Sequence, residues 1–157
     1  RDDVAEMAKV GVFTVRDASE IAGVSRRKVI QYVELGFVHP VNEEAVSRGR
    51  HRLLNPVGLF RIYIAAKLER VGFALKHINP LLEVVEGEGL GPLLCSEGEG
   101  PWLLGICADG AGGYRAIGPL NMETLSECDA VVFLQLDVIF EEFFALLKRL
   151  SASAYAA

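Results

Sequence analysis

Arg26, Arg27 and Lys28 stand together in the sequence, and Gln31 follows about one helical turn later. Guanidinium and ammonium groups contact phosphate oxygens, and a glutamine side chain can read the edge of an adenine base. The residues that follow have helical apolar spacing, so the cations fall in the first turn of a predicted helix. Because the helix dipole disfavours positive charge there, we expect these cations to serve an anionic partner.

A second basic cluster surrounds Gly49 and is formed by Arg48, Arg50, His51 and Arg52. It lies in a polar segment between two predicted helices, and the pattern predicts a loop or a small β-wing over residues 47–53. Glycine permits a tight bend at the tip of such a wing. Two basic clusters beside one small helical core could hold a duplex backbone at two places, with salt-dependent affinity.

Four helices are predicted before residue 85, and each has a recognisable start or end. Thr14 begins the first in a capping box with Asp17, and Gly23 ends it. Ser25 is a good N-cap for the second, which carries the three cations over 26–35 and stops at Gly36. The third begins at Asn55-Pro56 and ends at Gly72. A short fourth covers residues 74–79, and Asn79-Pro80 either stops it or restarts a further turn.

The pattern changes after a glycine-rich segment at 86–101, which predicts a linker between a domain at 1–85 and a second domain at 102–157. "WLLGICA" and "YRAIGP" flank a glycine-rich turn and predict a β-hairpin. "AVVFLQL" predicts a third strand, followed by an amphipathic helix that Asp137 caps. The alternative is one long helix over 131–150, which the apolar pattern disfavours. The fold class predicted is mainly α with small β.

Charge is divided unevenly along the 157 residues, whose net charge is -5. Residues 1–80 hold 13 Lys+Arg and 9 Asp+Glu, a balance of +4, whereas residues 81–157 hold 3 and 12, a balance of -9. This division predicts that only the first half meets an anionic partner. The hydrophobic content of 51% supports a packed core. The charged N-terminal stretch has no signal-peptide core and no apolar run is long enough to span a membrane, so we expect a cytoplasmic protein.

The segment "FTVRDASEIAGVSRRKVIQYVELGFVHP", the wing "SRGRHRLL" and "NPVGLFRIYIAAKLERVGFALKHI" together resemble the MerR family of winged helix-turn-helix regulators. The resemblance covers residues 13–84 and includes the order, spacing and glycine positions. It implies a bacterial homodimer that binds double-stranded DNA and regulates transcription, with RNA polymerase and a small effector as further partners. The DNA-binding residues that we predict are Thr14, Ser25, Arg26, Arg27, Lys28, Gln31, Tyr32, Arg48, Arg50, His51 and Arg52.

The chain departs from the family pattern in two places. Ile30-Gln31 stand where the family usually has an Arg-Tyr pair, so the three leading cations are expected to replace one backbone contact. The long dimerisation helix of the family does not follow the fourth helix directly, and residues 137–150 are its predicted substitute. The apolar stripe expected to pair two copies consists of Ile139, Phe140, Phe143, Phe144, Leu147 and Leu150.

The sequence offers little support for a metal site, a cofactor site or a catalytic site. Cys95, Cys107 and Cys128 have no metal-binding spacing, and we expect buried or half-buried thiols. No nucleophile–base arrangement stands out, so neither an enzyme nor a metal or cofactor site is predicted. The alternative to a regulator that responds to an effector is a non-sensing DNA-binding accessory or architectural factor, or a protein adaptor.

Overall fold

A computed structural model of the chain describes residues 11–42, 52–90, 103–108, 113–117 and 128–156. It is a mixed structure in which helices dominate and the strands form small antiparallel sheets. The described residues divide into two units, one from Asp2–Asn79 together with Glu142–Ala157, the other from Pro80–Glu141. No helix within the described ranges is long and apolar enough to cross a membrane.

The first two helices, α1 (Val15–Ala22) and α2 (Arg26–Glu34), begin at the predicted caps. The Thr14 side chain accepts a hydrogen bond from the Asp17 amide at 3.2 Å, and Asp17 accepts one from the Thr14 amide at 2.9 Å. These two reciprocal bonds satisfy amides that have no partner within the helix, which confirms the capping box. Apolar residues of α1 then turn inward, and Ala18, Ile21 and Ala22 are buried.

The third helix, α3 (Pro56–Arg70), is the centre of the first unit. Its N-cap Asn55 accepts from the Gly58 amide at 2.7 Å, as the Asn-Pro start predicts. Gly58 meets Val38 so closely that a Cβ at position 58 would lie 2.7 Å from the Val38 Cγ2 atom. A side chain at position 58 would push Val38 away, so this close contact requires glycine.

Strands β1 (Phe13–Thr14) and β2 (Leu53–Leu54) pair antiparallel, with Phe13 opposite Leu54.

Ten of the 15 residues of α3 are buried, including one charged residue, Arg61. A buried guanidinium is costly unless its N–H groups find acceptors. The Arg61 Nε atom donates to the Phe37 carbonyl, and its Nη2 atom donates to the Asn79 amide oxygen at 3.0 Å. Arg61 thereby ties α3 to the end of α2 and to the next helix.

Helix α4 (Leu75–Val84) includes Pro80 in its interior and continues into a π-helical turn at Val85–Leu90. A stop at residue 79 was therefore wrong, and the structure agrees with the alternative, in which helical turns follow Asn79-Pro80. Proline lacks an N–H and crowds the preceding turn, which normally ends a helix. Here Ile78, Leu81 and Leu82 are buried, and this burial favours the helical path past the proline. The predicted linker at 86–101 begins inside the π-helical turn, and its residues 91–101 lie outside the described ranges.

The second unit contains a three-stranded antiparallel sheet of order β4-β3-β5. Strand β3 (Leu103–Ala108) pairs with β4 (Tyr114–Ile117), which confirms the predicted hairpin. On its other side β3 pairs with β5 (Ala130–Gln135), so the strand interpretation of this segment is confirmed over the long helix. Helix α5 (Leu136–Ala156) follows directly and starts one residue before the predicted cap, so that Asp137 lies in its first turn.

A disulfide joins Cys107 in β3 to Cys128, which precedes β5. The prediction of thiols was wrong for these two residues. Their separation of 21 in sequence gave no signal, but the pairing of β3 with β5 brings their Cα atoms to 5.4 Å, a distance that a disulfide spans. Cys95 lies outside the described residues.

Candidate nucleic-acid interface

Three hydrogen bonds, donated by Gly23, Ser19 and Arg70, hold the turn between α1 and α2. Gly23 has φ +66°, a left-handed conformation that glycine adopts at little cost, and its amide donates to the Ser19 carbonyl at 3.0 Å. The Ser19 hydroxyl donates to the Val24 carbonyl. From α3, the Arg70 guanidinium donates to the Ala22 carbonyl at 3.0 Å. The angle between the two helices is therefore set by hydrogen bonds as well as by packing.

Arg26 and Arg27 occupy the first turn of α2 and are exposed. Ser25 caps this helix by accepting from the Lys28 amide at 3.1 Å, and its O–H can still donate to a partner. Neither arginine makes a hydrogen bond or ion pair within the described part of the chain. Two free guanidinium groups therefore project from the helix end whose dipole disfavours them, which is the arrangement that an anionic partner would stabilise.

Lys28 differs from the two arginines because its charge is neutralised inside the protein. Its ammonium lies 2.7 Å from the Oε1 atom of Glu69 on α3, and its side chain is only 30% exposed. Lys28 was predicted to contact DNA with its neighbours, but in the structure its ammonium is paired with Glu69. Helical geometry explains the difference, since Lys28 lies on the same face of α2 as the buried Tyr32, four residues later.

Tyr32 is fully buried, and its hydroxyl donates to the other carboxylate oxygen of Glu69. Tyr32 was predicted to contact DNA, but in the structure its hydroxyl is engaged by Glu69. Burial raises the pKa of Tyr32 above its ordinary range, and the hydrogen bond and charge of Glu69 raise it further. Burial also acts to raise the pKa of Glu69, but hydrogen bonds from Lys28 and Tyr32 outweigh it and hold that pKa below its ordinary value. Tyr32, Glu69 and Lys28 form one hydrogen-bonded set that joins α2 to α3.

The remaining predicted contacts are placed in different ways. Gln31 is half-buried on α2, and the Thr14 hydroxyl is occupied in the capping box. Arg52 is half-buried beside β2, while Arg48, Arg50 and His51 lie outside the described residues. Around β2, the Leu53 amide donates to the Asn42 side chain at 2.8 Å and the Leu53 carbonyl accepts from Val41 at 2.9 Å. These bonds fix the chain on both flanks of the predicted wing.

The stripe on α5 that was expected to pair two copies contributes to the core of its own chain. Phe143 is fully buried, with its ring centroid 5.1 Å from that of Phe60 and 5.4 Å from that of Tyr63. Phe140 and Leu147 are also buried, whereas the members of the stripe that keep some exposure are Ile139, Phe144 and Leu150. Dimerisation through this helix stays a prediction, and its surface is smaller than the sequence pattern alone indicates.

Glu142 fastens α5 to α3 at the start of this contact. Its Oε2 atom accepts from the Tyr63 hydroxyl at 2.9 Å and lies 2.6 Å from the Lys67 ammonium. The hydrogen bond from Lys67, followed by that from Tyr63, lowers the pKa of Glu142. Burial, followed by the Glu142 hydrogen bond and charge, raises the pKa of Tyr63.

Sequence reasoning missed Glu69 and Glu142 as partners of these tyrosines and lysines. A signal for Glu69 existed, since it follows Ile62 and Ala66 at helical spacing and so falls on the buried side of α3. A carboxylate on a buried face predicts a basic or hydroxyl partner on the neighbouring helix. Glu142 gave no comparable signal, because its partners lie nearly eighty positions earlier in the chain, at a separation of 79 from Tyr63.

No group of three histidine, cysteine, aspartate or glutamate side chains that could hold a metal occurs among the described residues. No known family model matches the sequence, and comparison with curated proteins finds no similar sequence. We therefore infer the function from the geometry around α2 and from the residues that resemble the MerR family.

Proposed function

We propose that the protein is a dimeric, sequence-specific DNA-binding transcription regulator of bacteria, with a winged helix-turn-helix like that of the MerR family. One observation carries the proposal: Arg26 and Arg27 project, exposed and without a partner in the described chain, from the first turn of a helix held by the turn at Gly23. In helix-turn-helix proteins the N-terminal residues of the second helix enter the major groove.

In this proposal α2 is the recognition helix, and its residues have different tasks. Arg26 and Arg27 contact phosphates, or a guanine edge through a bidentate guanidinium. Gln31, which is half-buried one turn later, reads an adenine edge. Lys28 and Tyr32 do not contact DNA but hold α2 on α3 through Glu69. This division reduces the direct contacts of the helix to three side chains.

The flanking segments complete the proposed interface. Arg52, at the base of the predicted wing, and the neighbouring Arg48, Arg50 and His51 contact a second stretch of backbone. The protein acts in the cytoplasm as a homodimer on a two-fold operator, with RNA polymerase as a further partner. Residues 1–80 hold 13 Lys+Arg and 9 Asp+Glu, a balance of +4. This positive charge supports the assignment of the DNA contacts to the first half of the chain.

The test is a binding titration by fluorescence anisotropy over a series of salt concentrations, first on a random-sequence duplex and then on duplexes selected from a pool. We expect the Arg26→Ala/Arg27→Ala variant to lose about tenfold or more in affinity and to show a salt slope shallower by about 2, as two phosphate contacts require. The charge-matched control is Arg115→Ala/Lys148→Ala, which removes two exposed cations elsewhere and should bind like the wild type.

Two results would contradict the proposal. The wild type would fail to bind any duplex at low salt, or the two double variants would lose affinity equally, which would show a general effect of net charge. Binding without a preference for any selected sequence would instead favour the architectural factor over the regulator.

A further inference from the structure

A groove of about 470 Å³ opens in the first unit beside the turn between α1 and α2. Its lining comes from three helices: the end of α1 with Gly23, the Lys67–Arg70 turn of α3, and α5 from Glu142 to Arg149. A volume of this size lies within the range of pockets that hold small organic molecules. The proposed DNA contacts make no use of this groove.

The charges that line the groove do not cancel evenly. Lys67 is neutralised by Glu142, 2.6 Å away, and Glu20 pairs with Arg16 at 3.4 Å outside the lining. Among the described residues, the hydrogen bond that the Arg70 Nη2 atom donates to the Ala22 carbonyl leaves the other N–H groups of this guanidinium unused.

Arg149 is the cation whose charge is least compensated. It is exposed and makes no hydrogen bond or ion pair within the residues that the structure describes. Two guanidinium groups, those of Arg70 and Arg149, therefore line the same groove. Guanidinium groups bind carboxylates in a bidentate manner, so the charge in the groove favours an anion.

The rest of the lining is largely apolar and includes Ile21, Ala22, Ala145 and Leu146. The ring of Tyr63 lies among them, with its hydroxyl engaged by Glu142. Such walls favour a hydrocarbon or aromatic body over a small inorganic ion, because the burial of apolar surface stabilises the bound state.

We propose that this groove binds a small organic anion, a carboxylate on an apolar or aromatic body, held by Arg70 and Arg149. The regulatory consequence rests on the proposed function. A ligand in the groove touches both α5 and the turn at Gly23 from which α2 projects. If it binds one orientation of α2 more tightly than another, it shifts the DNA affinity by that difference.

Benzoate is the probe that tests the site, with the cation benzamidine as its counterpart of similar shape. In ¹H–¹⁵N correlation spectra of the full chain, benzoate should shift amides near residues 21–23, 67–70 and 145–149 in a saturable manner, and benzamidine should not. Arg149→Gln should weaken benzoate binding by about tenfold, the loss of one charged hydrogen-bond donor. Lys148→Gln is the matched control, since it removes the same charge from the neighbouring exposed position that does not line the groove.

Three results would overturn the site: no saturable shifts with benzoate, equal binding of benzamidine, or equal weakening by the two glutamine variants. The DNA titration is then repeated with benzoate at saturation. An unchanged affinity would refute the regulatory consequence and leave the site standing. Because the spectra are recorded without DNA, failure of the wild type to bind a duplex would refute the proposed function independently of the groove.

Discussion

The Tyr32 hydroxyl donates to the Glu69 carboxylate across the contact between α2 and α3, and Lys28 binds the same carboxylate. The arrangement occurs a second time where Tyr63 and Lys67 of α3 share Glu142 of α5. In each case the lysine and tyrosine are four residues apart on one helix, and the ammonium lies over the ring, at 5.8 Å from Tyr32 and 5.1 Å from Tyr63. The same lysine–tyrosine–glutamate contact therefore joins α3 to α2 and also to α5.

The first prediction separates Lys28 from its neighbour Arg27. Lys28→Ala should lower the free energy of unfolding by about 1–2 kcal/mol, because it leaves the partly buried Glu69 without its ammonium partner. Arg27→Ala should change that free energy by less than about 0.5 kcal/mol but should weaken DNA binding more than Lys28→Ala does. Urea denaturation and anisotropy titrations measure the two effects, and the reverse ranking would show that Lys28 is the DNA contact.

The second prediction concerns the pH dependence of stability. The hydrogen bonds of Glu69 hold its folded pKa below the ordinary value of 4.5, so its contribution is complete above that pH and is lost as pH falls through the folded pKa. The difference in unfolding free energy between wild type and Glu69→Gln should therefore be largest near neutral pH and shrink below 4.5. Glu142 acts in the same direction, but its side chain is 49% exposed and solvent screens it more. Parallel stability profiles of the wild type and Glu69→Gln through this window would contradict the prediction.

The third prediction tests the role of α5 in the core. Phe143→Ala should cost about 3–5 kcal/mol, since it opens a cavity beside Phe60 and Tyr63. Val138→Ala, at an exposed position of the same helix, should cost less than about 0.5 kcal/mol. Sedimentation of both variants supplies the second readout. A stable Phe143→Ala monomer formed from a wild-type dimer would show that Phe143 pairs two copies rather than filling the core of one.

The fourth prediction concerns the disulfide between Cys107 and Cys128. Cross-linking residues 21 apart removes freedom from the unfolded chain, so reduction should lower stability by about 3 kcal/mol. Urea denaturation with and without reductant measures this for the wild type, and Cys95→Ser should show the same dependence. Cys107→Ser/Cys128→Ser should be insensitive to reductant, and an equally insensitive wild type would contradict the prediction. Because disulfides are rare in the cytosol, alkylation of the thiols in cells also tests the proposed location.

The elements of the first unit could be predicted well because their signals are local. Thr14, Ser25 and Asn55 cap helices through hydrogen bonds that span only three residues, and Gly23 ends one through its own backbone freedom. The pairing of β3 with β4 in the second unit was predictable for the same reason, since only a short glycine-rich segment of sequence separates these two strands. The exposure of Arg26 and Arg27 followed from the apolar spacing around them.

The sequence by itself therefore determined where α1, α2 and α3 begin and that Arg26, Arg27 and Lys28 fall in the first turn of α2. Only the tertiary structure decided that Lys28 and Tyr32 serve Glu69, that α4 continues past Pro80, and that Cys107 meets Cys128. It also decided that Phe143 fills the core of its own chain. The physical reason is common to these cases: each depends on a partner brought close by packing or pairing, whereas caps and turns are complete within a few residues of chain.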